Sequence, residues 1–156
     1  MSWKRKPANR GRYGLVKIVV LDAYTIDHGD VDFSELATCG DCTFYDRTPP
    51  DLTCERSREA DILLTNKVIF NRDIIEKLDA PAYIGVLATG YNNVDVTAAS
   101  EKGIIVTNVP AYSTQSVAQL VLSFILELNM KTAHHNTMVH RGKWSASKDI
   151  CFWDFP

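Results

Sequence analysis

The sequence predicts an α/β fold, a parallel five-stranded sheet with helices on both faces, and three observations carry that prediction. Five short apolar runs recur at about twenty-residue spacing: "KIVVLD", "CTFYD", "DILLTN", "YIGVLAT" and "IIVTNV". They are too apolar to have a wet face, as expected of strands buried on both sides. Helix-like segments alternate with them, and parallel neighbours need such crossover connections.

Taken in order, Lys17 to Asp22 is the first strand, followed by a helix over Phe33 to Thr38 with Gly40 as its stop. The second strand is Cys42 to Asp46, and a helix lies around Leu52 to Ala60. The third strand, Asp61 to Asn66, leads to a helix over Asn71 to Leu78, with Asn71 as N-cap and Ile74, Ile75 and Leu78 on one face. Tyr83 to Thr89 is the fourth strand, and Val96 to Lys102 a helix capped by Asp95 and stopped by Gly103. The fifth strand is Ile104 to Val109. A longer helix starts near Ser113 to Ser116, where Ser116 and Gln119 have capping-box spacing. Val117, Leu120, Val121, Phe124, Ile125 and Leu128 form its apolar stripe, and Ala118, Leu122 and Leu126 extend it round the other flank. Such a helix must be covered on nearly all sides, by this domain, a second domain or another subunit. From His134 onward the chain reads as irregular, with Trp144, Phe152, Trp153 and Phe155 as stranded aromatics that want a packing partner.

Composition narrows the class. At 156 residues, 46% hydrophobic and 23% charged, the chain suits one domain with a real core. The most apolar segment, Val117 to Met130, is interrupted by Gln119, Ser123, Glu127 and Asn129, and falls short of the roughly 20 apolar residues of a membrane span. The net charge of −2 hides an asymmetry: Lys4, Arg5, Lys6, Arg10 and Arg12 are 5 of the 17 basic residues, which leaves 12 basic against 19 acidic afterwards. An acidic body argues against a nucleic-acid surface, and residues 1–16 are expected to be a disordered basic leader. Without the apolar core of a secretory signal, Cys39, Cys42, Cys54 and Cys151 are expected to be reduced thiols in the cytoplasm. Cys39-Gly-Asp-Cys42 has the spacing of a redox or zinc pair, but Gly40 reads as the end of a helix and Cys42 as the start of a strand, the reverse of a thioredoxin-like site.

Ligands of open α/β sheets sit beyond the carboxyl ends of the strands, so the informative loops follow Asp22, Asn66, Thr89 and Val109. The first, "AYTIDHGD", does not suit a flavin phosphate, and "LLTNK" lacks the aspartate of a phosphoacceptor. The glycines, at 11, 14, 29, 40, 85, 90, 103 and 142, include no G-x-G pair, so the dinucleotide fingerprint is missing. No catalytic Ser/His/Asp or Cys/His set can be assembled, and His134, His135 and His140 read as surface residues rather than metal ligands. "LATGYNNVD" offers backbone instead: with Gly90 at positive φ, the N–H groups of Thr89, Gly90 and Tyr91 could converge on a small anion, and Lys67 could add a charge. On periodicity alone, a plain turn capped by Asp95 accounts for these residues better.

The run "YIGVLATGYNNVDVTAASEKGIIVTNVPAYSTQSVAQLVLSFILEL", with "KIVVLDAYT", "YDRTPP" and "LLTNK" before it, resembles the D-isomer-specific 2-hydroxyacid dehydrogenases, in their glycerate dehydrogenase (hydroxypyruvate reductase) branch. The resemblance covers residues 17–156. It implies a flavodoxin-like substrate-binding domain over 17–112, then a linker helix and arm over 113–156 leading to a Rossmann nucleotide-binding domain missing from these residues. It implies substrate binding at Ala88, Thr89 and Gly90, to which the reading of the loop adds Lys67 and Tyr91, and contact with the cofactor, NAD or NADP, at Thr89 and Val117. The implied reaction is hydride transfer between NAD(P)H and a small 2-keto acid such as hydroxypyruvate or glyoxylate. The family's catalytic arginine, glutamate and histidine belong to the missing part, so the chain is expected to be truncated and inactive alone, and its full-length form a homodimer. No nucleic-acid or membrane partner is implied. The alternative expectation is a stand-alone, non-catalytic flavodoxin-like binding or dimerisation module.

Overall fold

The computed structural model describes residues 15–79 and 81–154. The basic residues of the expected leader, Lys4 to Arg12, and the aromatic Phe155 lie outside the described residues. The chain divides into two compact units at Ala111 and Tyr112.

The first unit holds β1 (Lys17–Val20), β2 (Asp41–Phe44), β3 (Ile62–Thr65), β4 (Tyr83–Val86) and β5 (Ile105–Thr107), paired in parallel in the order β2-β1-β3-β4-β5. Between them lie α1 (Ser34–Cys39), α2 (Thr53–Ser57), α3 (Arg72–Lys77) and α4 (Val96–Glu101). All five expected strands are present, each ending one to three residues before its apolar run does. Those surplus residues leave the ladder because they build the connections: Asp22, for example, turns its carboxylate to the backbone of Asn66 and Lys67.

Register explains how the faces are covered. Val19, Leu63 and Ile84 stand side by side and cluster with Ala60, Ile75, Leu78, Ala98 and Ala99, which places α3 and α4 on that face, with α2 against α3. On the opposite face Cys42 pairs with Ile18 and Phe44 with Val20. The Cys42 thiol donates to the Leu36 carbonyl at 3.5 Å, and the rings of Phe33 and Phe44 lie 5.0 Å apart, so α1 covers this side. Burial on both faces holds for the inner strands alone. The outer strands carry exposed residues, Ile105 among them at 61%.

The helix termini follow local chemistry. The Asn71 side chain accepts from the Ile74 N–H at 3.0 Å and that of Asp95 from the Ala98 N–H at 2.9 Å, as N-caps should. Gly103 ends α4 at φ +75°. Gly40 differs from its expected role: its φ of 173° is extended rather than left-handed. A Cβ there would stand 2.2 Å from the Val16 carbonyl oxygen, so glycine is demanded by close backbone approach, not by a helix stop.

The second unit contains α5 (Thr114–Met130), α6 (Thr132–His140) and α7 (Lys143–Ala146). The expected capping box is not formed, because α5 starts at Thr114 after Ser113 and Ser116 already sits in its first turn. The expectation of irregular chain after His134 is overturned by α6 and α7. Lys131, at φ 47°, breaks the path of α5, and the Glu127 carboxylate takes the Thr132 hydroxyl and the Ala133 N–H, so α6 restarts at once. "TAHHNTMVH" has no apolar stripe to announce such a helix. Trp144 and Phe152 pack edge to face at 6.4 Å, whereas Trp153 is 78% exposed. Along α5, Val117, Leu120, Val121, Phe124, Ile125 and Leu128 are all half-exposed or more.

Candidate functional site

The order of the sheet reverses between β1 and β3, and a parallel α/β sheet presents its ligand crevice at such a switch point, beyond the carboxyl ends of the strands. Asp22 closes β1 there. Its side chain is buried, and its oxygens accept the N–H of Asn66 at 2.9 and 3.1 Å and that of Lys67 at 2.5 Å. The Asn66 amide in turn donates to the Thr25 hydroxyl at 3.0 Å. Lys67 therefore stands on a turn clamped from β1, with its side chain exposed.

The loop after β4 is seated next to that turn, because the Leu87 N–H donates to the Thr65 carbonyl at 2.7 Å. Ala88 is half-buried and its carbonyl accepts from Val109, while Thr89, Gly90 and Tyr91 are exposed. The Thr89 hydroxyl donates to the Val109 carbonyl at 3.1 Å, and its carbonyl accepts the Asn108 amide at 2.7 Å. Farther on, the loop is strapped to the chain after β3: Phe70 N–H to Asn93 O at 2.7 Å, Asp95 N–H to Phe70 O at 2.8 Å and the Asn93 amide to Val68 O at 3.0 Å. Within this framework the N–H groups of Ala88, Thr89, Gly90 and Tyr91 donate to no protein acceptor among the described residues.

Gly90 departs from expectation. Its φ lies outside the left-handed region, where Gly29, Gly103 and Gly142 are found. A Cβ added to it would meet one atom, the Asn92 side-chain oxygen, at 3.4 Å. Neither backbone conformation nor internal packing requires glycine here.

The other residues singled out in the sequence belong to other elements. Val117 lies on α5, in the second unit, 57% exposed. His134 and His135 belong to α6, where His134 pairs with Asp154 at 2.5 Å and His135 stacks on Phe152 at 5.3 Å. No group of three or more His, Cys, Asp or Glu among the described residues is placed to hold a metal. Burial pushes the Cys42 thiol above its ordinary range, the opposite of what a reactive Cys-x-x-Cys thiol needs. No helix among the described residues is long and apolar enough to cross a membrane. Sequence reading missed Asp22 as the clamp of the site and Arg47 beside it. An acid ending the first apolar run was the available signal for Asp22, but its partners are 44 and 45 residues away.

A doubly wound α/β domain with its loops gathered at a switch point defines the class as a ligand-binding domain of the open-sheet type. Residues 18–150 match the model of the D-isomer specific 2-hydroxyacid dehydrogenase catalytic domain, and the chain belongs to that family. It is 46% identical over 144 residues to a hydroxypyruvate reductase of Blautia hydrogenotrophica, covering 90% of this chain and 45% of that protein. To a glycerate dehydrogenase of Methylorubrum extorquens it is 31% identical over 147 residues, covering 90% and 44% respectively. It shares its fold with D-lactate dehydrogenase of Aquifex aeolicus, solved with NAD and lactic acid, at a TM-score of 0.64 and 19% identity, over 88% of this chain and 40% of that one. The chain thus spans less than half the length of these relatives.

Proposed function

We propose that this chain is the substrate-binding portion of an NAD(P)-dependent D-2-hydroxyacid dehydrogenase, and that the Ala88–Tyr91 loop holds the carboxylate of a small 2-keto acid such as hydroxypyruvate or glyoxylate. The observation that carries this is the set of unspent N–H groups at Ala88, Thr89, Gly90 and Tyr91, on a loop whose Ala88 and Thr89 carbonyls and Thr89 hydroxyl are engaged. A carboxylate accepting such donors makes charge-assisted bonds, about twice as strong as neutral ones. Lys67 supplies a cation on the adjoining turn, and Tyr91, 52% exposed, flanks the loop. Gly90 leaves room for the ligand to come within contact distance of the backbone.

Hydride transfer also needs a nicotinamide held against the substrate, a cation at the keto oxygen and a proton donor. With no G-x-G pair, the residues of this chain do not form a pyrophosphate loop, so no step through the dinucleotide is derived. Their share in binding NAD or NADP is contact at Thr89 and Val117. The reading includes a cytoplasmic homodimer: Cys39, Cys42, Cys54 and Cys151 are unbridged, and α5 offers its half-exposed apolar residues to a second copy.

The test is binding of hydroxypyruvate to the chain, followed by amide-resolved NMR, beside an assay of NADH consumption with the same acid. Saturable shifts at residues 88–91 without turnover are expected. Turnover well above a blank would refute the assignment of catalysis to residues outside this chain, and shifts that bypass the loop would refute the carboxylate site.

A further inference from the structure

A second feature at the switch point is a cleft of about 560 Å³ beyond β1, β2 and β3, walled by Pro49, Val68, Ile69 and Ile74 and edged by Arg47 and Lys67. Its volume falls within the roughly 300–1,000 Å³ of small-molecule sites, larger than a small hydroxy acid fills. The residues of the Ala88–Tyr91 loop are not among those lining it.

Two properties of the cleft define the ligand. Its walls are mainly apolar, so the body of the ligand is apolar. The charges at its edge are positive: the Arg47 guanidinium and the Lys67 ammonium have no carboxylate within ion-pair distance among the described residues. Both cations edge the same apolar concavity. Asp22 also lines the cleft, but it is buried and its oxygens are taken up by Asn66 and Lys67 N–H groups.

Arg47 is held in place before any ligand arrives. Arg56, stacked 4.0 Å over Tyr45, donates to the Arg47 carbonyl at 2.9 Å and to the Thr48 hydroxyl at 3.1 Å. Thr48 in turn donates to the Leu21 carbonyl at 2.7 Å, and the Arg47 guanidinium lies 4.5 Å over the Tyr24 ring. A cation set on a fixed backbone loses little further freedom on meeting an anion.

The geometry points to a second ligand site in this cleft, for an amphipathic carboxylate whose apolar body lies against Pro49, Val68 and Ile69 and whose head meets Arg47 and Lys67. The site shares Lys67 with the proposed carboxylate loop but does not rest on the N–H groups of Ala88–Tyr91.

The test is titration of the isotope-labelled chain with hydrocinnamate, an aryl carboxylate without a 2-keto group, and with its neutral amide, read by amide-resolved NMR. Saturable shifts are expected at Thr48 and at residues 66–69, with the amide binding about tenfold more weakly for want of the charge-assisted bond. Arg47→Gln and, separately, Ile69→Glu should each weaken hydrocinnamate by a similar factor. Both side chains are exposed, and the spectra themselves report whether the variants fold. Absence of saturable shifts, equal response to acid and amide, or unchanged binding by both variants would overturn the site. So would shifts confined to Thr89–Tyr91 or to α5, the former while leaving the carboxylate loop intact.

Discussion

The carboxylate of Asp22 accepts the backbone N–H of Lys67 at 2.5 Å, across 45 residues of sequence. That bond, with those to Asn66, ties the end of β1 to the end of β3 where the sheet reverses its order. Asp22→Ala leaves two buried or half-buried N–H groups without an acceptor and is expected to cost about 2–4 kcal/mol. Asp22→Asn keeps one acceptor oxygen and should lose less. Urea midpoints of the variants measure the difference, and equal midpoints for Asp22→Ala and the parent chain would contradict it.

Gly90→Ala separates binding from stability. Since an added Cβ meets one side-chain oxygen at 3.4 Å, the unfolding midpoint should change by no more than about 0.5 kcal/mol. Carboxylate binding should fall, because the methyl occupies the approach to the N–H groups. A variant that binds hydroxypyruvate as tightly as its parent removes the reason offered for glycine here.

Gly40→Ala is the contrasting case. Its Cβ would meet backbone, the Val16 carbonyl at 2.2 Å, which cannot rotate away. Because the Asp41 N–H donates to that same carbonyl at 2.8 Å, the start of β2 must shift, at a cost of about 1–3 kcal/mol. Thermal unfolding of Gly40→Ala beside Gly90→Ala checks the ordering.

Lys102 closes the C-terminus of α3 from the end of α4: its ammonium donates to the carbonyls of Ile75 at 2.9 Å, Glu76 at 2.9 Å and Leu78 at 2.8 Å. Lys102→Met keeps the aliphatic stem and removes all three bonds, so about 1–2 kcal/mol of stability should be lost. Hydrogen exchange at the last turn of α3 should accelerate more than at β1.

Acid should loosen the second unit. Hydrogen bonds from Lys143 and then His134 hold the Asp154 carboxyl below its ordinary value of 3.8. A carboxylate depressed in the folded state contributes its stability above the unfolded value and loses it as pH falls through the lower folded one. The attachment of the 150–154 segment to α6 and α7 is therefore expected to persist at neutral pH and to weaken below pH 3.8. Near-ultraviolet dichroism of the Trp144–Phe152 pair during acid titration, against Asp154→Asn, reads this directly.

Where chemistry is local, the sequence was informative. Asn71 and Asp95 cap their helices through side chains that reach three residues ahead, and the five apolar runs became the five strands. Helices α6 and α7 were not legible, since "TAHHNTMVH" has no stripe and its start depends on Glu127, Lys131 and Thr132 acting together. The loop after β4 could be picked out through its resemblance to a family, yet its unspent N–H groups could not be counted before the partners of its neighbours were known.

By itself the sequence determined the parallel α/β architecture and the family, because buried parallel strands need continuous apolar runs and the family's motif lies in one contiguous stretch. Only the tertiary structure decided that Asp22 clamps the turn carrying Lys67, and that Arg47 and Lys67 edge one cleft. Those residues lie on different strand ends, and a switch point exists only once β3 has paired beside β1 rather than beside β2.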